Sequence, residues 1–170
     1  MIFCTVVIDG VRRAGLWHDE TIRLDPRPGG LDAVLAAGGQ LRPGPTIAAA
    51  EADFDAPLRP PVVFCVGQNY ADHLEEKAPV HRPEPEFFLK AGQTIAAPGD
   101  PAILDPRVTA KLDYETELGI VIGRPGRSID VRRAMDHVAG YVALNDLTAR
   151  DRQVVNHPDG SQSMALGPGK

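Results

Sequence analysis

The sequence predicts a β-rich α+β protein, and three observations carry that prediction. Short apolar runs of strand character recur along the chain, and 17 glycines and 16 prolines among its 170 residues punctuate them. Helical stretches are few, so the regular crossovers that a doubly wound parallel sheet needs are missing.

The elements follow in order. IFCTVVI, AGLWHD and TIRL read as three short strands within residues 1–24, and LDAVLAA at 31–37 reads as a brief helix stopped by Gly38 and Gly39. The segment from Leu41 to Pro61 is rich in Pro, Ala and Asp and ends in PLRPP, which reads as an extended connector. A small N-terminal domain with its connector is therefore expected over 1–60, and a second domain over 61–170. That second domain opens with the strand VVFCVG, followed by a short helix around NYADHLEEKA, a Pro-rich loop APVHRPEPE and the strand FFLK. The strand YETELGIVIG comes next, with a turn at Gly123 to Gly126. A helix is expected near 131–138, capped by Asp130 and ended by Gly140. The strand YVALN and a further helix from Thr148 or Ala149 complete the reading. There is no internal repeat and no low-complexity tract.

Composition narrows the partners. With 18 basic and 23 acidic residues, a net charge of −5 and no cluster of Lys or Arg, neither nucleic acid nor an anionic membrane is an expected partner. MIFCTVVIDGVRR places its apolar run before its arginines, the reverse of a signal peptide. No apolar run approaches the ~20 residues that span a bilayer. Cys4 and Cys65 both sit among apolar β-formers, where cysteine behaves as a small hydrophobe, so a reducing cytoplasm is the expected setting.

Two acidic residues carry the first chemical signal. Glu115 and Glu117 stand two apart in LDYETELGIVIG, so in a strand their side chains leave the same face, and Asp146 lies in GYVALNDLTARDRQ. Carboxylates flanked by Leu118, Ile120, Val121 and Ile122 are costly to bury without a partner, and a hard cation would supply one. The alternative is a solvent-facing edge strand, with Asp146 as a helix cap. His73 and Glu76 stand three apart in NYADHLEEKA, so on a helical turn they share a face. A carboxylate beside an imidazole orients it as a base that works near neutral pH, which makes the pair a candidate water activator. The bland alternative is a surface helix with a passing contact. Glu75 reads as solvated, and His18, His81, His137 and His157 read as structural or exposed. No glycine-rich phosphate or dinucleotide loop occurs between a strand and a helix, so no organic cofactor is expected.

The succession VGQNYADHLEE, FFLKAGQTI, LDYETELGIVIG and DHVAGYVALNDLTARDRQ resembles the fumarylacetoacetate hydrolase family, in particular its bacterial members with a small N-terminal domain. The resemblance runs from about residue 60 to the last residue and is loose before it. It implies a mixed β-roll catalytic domain, a homodimer, and a divalent metal, Mg2+ with Mn2+ or Ca2+ as alternatives. It places the metal ligands on Glu115, Glu117 and Asp146, and the catalytic histidine with its acidic partner on His73 and Glu76. It implies that Lys90 faces the active site, that Arg150 and Gln153 bind substrate from one side of the helix after Asp146, and that Lys170 matches a second family lysine. Gly67, Asn69 and Tyr70 match an element that shapes the turn before His73, with Tyr70 in reach of a ligand. In longer relatives the roll continues well past Lys170, so the catalytic domain is expected to be incomplete at its C-terminus, with the missing part supplied by a continuation or a partner chain.

The reaction that this resemblance implies is metal-dependent hydrolysis of a carbon–carbon bond in an acylpyruvate-like or fumarylacetoacetate-like dicarbonyl acid, in the catabolism of aromatic compounds. An oxo-acid decarboxylase and a 2-hydroxymuconate-type isomerase or hydratase use the same enolate and stand as alternatives. A further alternative, from a different class, is an inactive metal-binding chain.

Overall fold

A computed structural model describes residues 1–67, 69–70, 84–164 and 169–170. Strand accounts for 43% of the described residues against 16% for helix of every kind, which makes the fold β-rich. Two compact units emerge. One gathers Met1–Pro60, Ile95–Pro101 and Leu118–Val142; the other gathers Pro61–Thr94, Ala102–Glu117 and Ala143–Lys170.

The first unit is built on a five-stranded antiparallel sheet. Strands β1 (Ile2–Ile8), β2 (Val11–His18), β3 (Thr21–Pro28), β4 (Thr46–Ala48) and β5 (Asp53–Asp55) lie in the order β4-β3-β2-β1-β5. The turn between β1 and β2 is the two-residue pair Asp9 and Gly10, with φ of 50° and 74°, the left-handed geometry that suits the twist of a tight hairpin. Cys4, Val6, Ile22 and Leu24 form the buried core, with Ile8, Trp17, Ile47 and Phe54 packed on it. Burial there pushes the Cys4 thiol up to about 11, so it stays protonated and inert. Helix α1 (Gly30–Ala36) is tied to the sheet through the buried Thr5 hydroxyl, which accepts from Leu31 N at 3.1 Å and donates to Pro57 O at 2.8 Å.

The segment expected as an extended connector is instead part of this sheet. β4 pairs with β3 and β5 with β1, because Ile47 and Phe54 each have apolar core to cover. Three-residue strands are too short to show a period in sequence.

Two buried carboxylates lock the loops of this unit. Asp25, fully buried, takes a two-point clasp from Arg27 at 2.9 and 2.6 Å and the backbone N–H of Arg42 at 2.7 Å, and these bonds hold it well below the usual carboxylate range. Asp55 pairs with Arg59 at 2.5 Å and with Arg12 at 2.6 Å, while Arg12 also reaches Asp32 at 2.9 Å. Chiefly through Arg59, against the opposing effect of burial, Asp55 is held at about 2.

The remaining strands form two-stranded antiparallel or paired ribbons. β6 (Val62–Gly67) pairs antiparallel with β7 (Glu86–Ala91), from Val62 opposite Ala91 to Gly67 opposite Glu86. β8 (Leu112–Asp113), β9 (Thr116–Ile122), β10 (Val138–Asn145), β11 (Thr148–Ala149), β12 (Val154–Asn156) and β13 (Gln162–Met164) follow, with β9 beside β10, β8 beside β11 and β12 beside β13. Along β7 the half-buried Phe88 and Lys90 alternate with the exposed Phe87 and Leu89.

Two expected α-helices take other forms. Residues Val131–His137 make a 3₁₀ helix, capped as expected by Asp130 accepting from Arg132 N at 2.9 Å, but Gly140 lies inside β10 rather than ending a helix. After Asp146 the chain makes the short strand β11 and one 3₁₀ turn, Arg150–Arg152. Its donors and acceptors are taken from across the fold. Arg150 N bonds Lys111 O at 2.9 Å, and the Asp151 carboxylate accepts from Thr109 Oγ1 at 2.5 Å and from Ala110 N at 3.0 Å. The turn ends there because Val154–Asn156 leave it as a strand paired with Gln162–Met164. Both cysteines are free, and among the described residues no helix is long and apolar enough to cross a membrane.

Asp55 yields a stability prediction. Its carboxyl is lowered from 3.8 to about 2, so the pair contributes on the order of 2 kcal/mol of stability above about pH 4, lost as the pH falls towards 2. Chemical denaturation of Asp55→Asn at pH 7 should show a loss of that order, and the variant's fall in stability between pH 4 and 2 should be smaller than the wild type's by the same amount.

Candidate metal centre

The centre is assembled where three strand ends meet within the second unit. Glu115 lies between β8 and β9, Glu117 is the second residue of β9, and Asp146 directly follows β10. Two hydrogen bonds fix this meeting: Asp146 N donates to Glu115 O at 2.8 Å, and Glu115 N donates to Asn145 Oδ1 at 3.1 Å. One carboxylate oxygen from each of Glu115, Glu117 and Asp146 then lies within 4.8 Å of the others. Asp146 is 3% exposed, and the two glutamates are half-buried.

Cationic side chains from three other segments surround these carboxylates. Lys90, on β7, pairs with Asp146 Oδ1 and donates to Leu147 O at 3.3 Å. Lys170 sits between Glu115 Oε2 and Asp146 Oδ2, 2.7 Å from the latter, with its ammonium 5.3 Å from the centre of the Phe88 ring. Burial pulls the Lys170 ammonium down, but its bonds to Asp146 and Glu115 outweigh that and leave its pKa above the ordinary value. Arg150 bridges Glu115 Oε1 at 2.5 Å and Asp113 Oδ2 at 2.8 Å.

Glu117 is the exception. Among the described residues no ammonium or guanidinium forms an ion pair with it, and burial, followed by the charges of Asp146 and Glu115, pushes its pKa up. A carboxylate in that position is short of a cation. Three hard oxygen donors with one of them uncompensated fit a divalent ion of the magnesium, manganese or calcium kind. The nearby Cys65 thiol is raised by burial, with Asp146 adding to it, and remains a neutral neighbour rather than a ligand.

Most of the residues expected at the site are brought together. Arg150 and Gln153 meet across a 3₁₀ turn rather than along an α-helix, with Arg150 Nη1 donating to Gln153 Oε1 at 3.4 Å. Gln153 is 2% exposed and its Nε2 finds no acceptor among the described residues, leaving a buried amide donor beside the guanidinium. Tyr70 lies at the surface, 49% exposed. His73 and Glu76 lie outside the described residues. Two residues went unnoticed in sequence. Asp113, two positions before Glu115 and so in the same alternation, orients Arg150; Asn145 had no local signal, since its role is to receive the backbone of a residue 30 positions away.

Residues 62–167 match the family model described as fumarylacetoacetate (FAA) hydrolase, C-terminal. The chain belongs to the fumarylacetoacetate hydrolase family. A mitochondrial oxaloacetate tautomerase of Homo sapiens is 42% identical to it over 112 residues, covering 65% of this chain and 35% of that relative. A Rattus norvegicus mitochondrial oxaloacetate tautomerase is 43% identical over 91 residues, 54% of this chain and 41% of the relative. Among solved structures, a fumarylacetoacetate hydrolase from psychrophilic Exiguobacterium antarcticum superposes with a TM-score of 0.76 at 33% identity, over 89% of this chain and 57% of that one. A 5-carboxymethyl-2-hydroxymuconate delta-isomerase from Mycobacterium smegmatis superposes at 0.68 with 27% identity, over 98% and 61%. The β-rich fold is thus the fumarylacetoacetate hydrolase fold, and the chain spans well under two thirds of the length of these relatives.

In this fumarylacetoacetate hydrolase family chain, the uncompensated charge of Glu117 has a measurable consequence. Its raised pKa means that ionised Glu117 costs stability at neutral pH, a cost that fades as the pH falls through the folded value towards the ordinary 4.5. Metal-free Glu117→Gln should therefore melt above the wild type at pH 7 and level with it near pH 4, while calorimetric titration shows Mn2+ affinity reduced by at least the ~10-fold that even an outer-shell partner supplies.

Proposed function

We propose that this chain carries the metal-binding face of an enzyme that acts on 2-oxo acids through their enol forms, and that its reaction is tautomerisation of an oxo-dicarboxylate such as oxaloacetate. The observation that carries this reading is the three-carboxylate cluster with two lysine ammoniums at its edge and a guanidinium with a free amide donor beside it. The oxaloacetate tautomerases among its relatives support the choice of substrate class.

Each group has a task in that reading. A divalent ion held by Glu115, Glu117 and Asp146 would supply Lewis-acid polarisation of the substrate carbonyl. Lys90 and Lys170 donate from Nζ to oxygens gathered at the cluster, which favours an enolate over its ketone because the negative charge is then on oxygen. Arg150, steadied by Asp113, and Gln153 Nε2 offer a cation and a neutral donor side by side, a combination suited to a substrate carboxylate. Desolvation of this edge by Phe88 strengthens those bonds.

Carbon–carbon bond hydrolysis of an acylpyruvate-like acid is the second reading, favoured by the likeness to the Exiguobacterium hydrolase. It adds a water activator, for which His73 and Glu76 are the proposed residues. Cytoplasmic placement and a homodimer belong to the same proposal, and the apolar residues Phe64, Phe87 and Leu89 exposed on one face of the β6–β7 ribbon support self-association.

Three substrates separate the outcomes. With Mg2+ or Mn2+, enol-oxaloacetate should lose its ultraviolet absorbance faster than in buffer without forming pyruvate. Acetate and pyruvate from acetylpyruvate would select the hydrolase instead, and pyruvate with carbon dioxide from oxaloacetate would select a decarboxylase. Whichever substrate turns over, Lys90→Met should lower kcat by roughly 10²–10³, the loss expected on removing one oxyanion donor; an unchanged kcat would remove Lys90 from the proposal.

A further inference from the structure

Cations lie against every oxygen of two of the metal-centre carboxylates, although Asp146 Oδ1, paired by charge with Lys90, accepts no hydrogen bond among the described residues. Glu115 gives Oε1 to Arg150 and Oε2 to Lys170. Asp146 gives Oδ1 to Lys90 and Oδ2 to Lys170. An ion held by Glu115, Glu117 and Asp146 therefore has to take oxygens from cations that hold them now. Among the described residues Lys170 is the one group whose withdrawal frees an oxygen on both carboxylates at once.

The three cations also differ in what they keep. Arg150 retains Asp113 at 2.8 Å, and Lys90 retains the Leu147 carbonyl at 3.3 Å. Among the described residues the polar partners of Lys170 are Glu115 and Asp146, and the Phe88 ring lies 5.3 Å from its ammonium. That aromatic face attracts an ammonium weakly, by about 0.5–2 kcal/mol, and gives it somewhere to remain once the oxygens are gone. Lys170 is thus held hard by the oxygens that an ion needs and softly by everything else.

We infer that Lys170 is the exchangeable counter-ion of the metal-free centre: it neutralises Glu115 and Asp146 together until a divalent ion takes their oxygens, and the ion binds by exchange with it. This rests on the reading of the cluster as a metal site. Two effects follow from charge alone. Without Lys170 the buried Asp146 and its neighbour Glu115 repel each other, so the ammonium holds the two carboxylates together. The same ammonium weakens the ion's hold, because part of the binding free energy is spent in breaking its two bonds. A displaced ammonium is also delivered to the rim of the site only when the ion is in place, so the proton donor at Nζ and the ion arrive together.

The test is calorimetric titration of Mn2+ into the metal-free chain, comparing wild type with Lys170→Met, Lys170→Gln and Lys170→Arg, and with the exposed Lys111→Met as a control for net charge. The neutral variants should bind Mn2+ on the order of tenfold tighter and gain more in Tm on adding it, while Lys170→Arg and Lys111→Met stay near wild type. Equal or weaker binding by both neutral variants, alongside a wild type that binds, overturns the exchange and leaves the metal site standing. No binding by any protein overturns both, whereas binding by the neutral variants alone supports exchange. A second measurement needs no variant. Acetic anhydride labelling of the wild type, read by peptide mass spectrometry, should modify Lys170 several-fold more with saturating Mn2+ than without it, and equal labelling counts against the exchange.

Discussion

The mutual repulsion of Glu115, Glu117 and Asp146 is the constraint around which the second unit is arranged. Three carboxylates within 4.8 Å, one of them almost fully buried, cannot persist without cations. The chain brings those cations from distant segments: Lys90 from β7, Arg150 from the turn after β11, and Lys170 from the last described residues. Backbone bonds such as Arg150 N on Lys111 O and Asp146 N on Glu115 O, with the β6–β7 pairing that carries Lys90, position these groups. Taken together they determine which charges face one another.

Comparison with the first unit shows what a structural carboxylate looks like in the same protein. Asp25 and Asp55 are as buried as Asp146, yet each is clasped by guanidinium and backbone donors and is held well below the ordinary carboxylate range. Glu117 moves the other way, because burial and the charges of Asp146 and Glu115 outweigh the opposing Lys170 and Lys90, and among the described residues it has no ion pair. Direction of shift thus separates the carboxylates clasped by arginines from Glu117 in the acidic cluster. The arginines of the first unit fit their carboxylates two bonds at a time. Lys170, a point charge, spans two carboxylates with single bonds and is the easier group to replace.

Membership of the fumarylacetoacetate hydrolase family bounds the chemistry without choosing the reaction. The relatives include tautomerases, a delta-isomerase and a hydrolase, all on one fold, so the choice among them lies in local groups rather than architecture. Enol stabilisation is common to the readings, and the described residues offer the donors for it. What distinguishes hydrolysis is an activated water, and that depends on residues other than the cluster itself.

In the sequence, local pattern alone was enough for the strands with clear alternation, the cap at Asp130 and the pairing of Glu115 with Glu117, which stand two apart across the start of β9. Family motifs extended this to Lys90, Arg150, Gln153 and Lys170 by position. Tertiary structure decided the rest. β4 and β5 are three residues long and exist because Ile47 and Phe54 find a core to cover, while the expected helix after Asp146 is cut to one 3₁₀ turn because Val154–Asn156 leave it to pair as β12 with β13. Likewise the engagement of every oxygen on Glu115 and Asp146, and so the singular position of Lys170, joins residues 24 and 55 apart. Local pattern fixes which groups share a face; which charges meet is fixed only when the chain closes on itself.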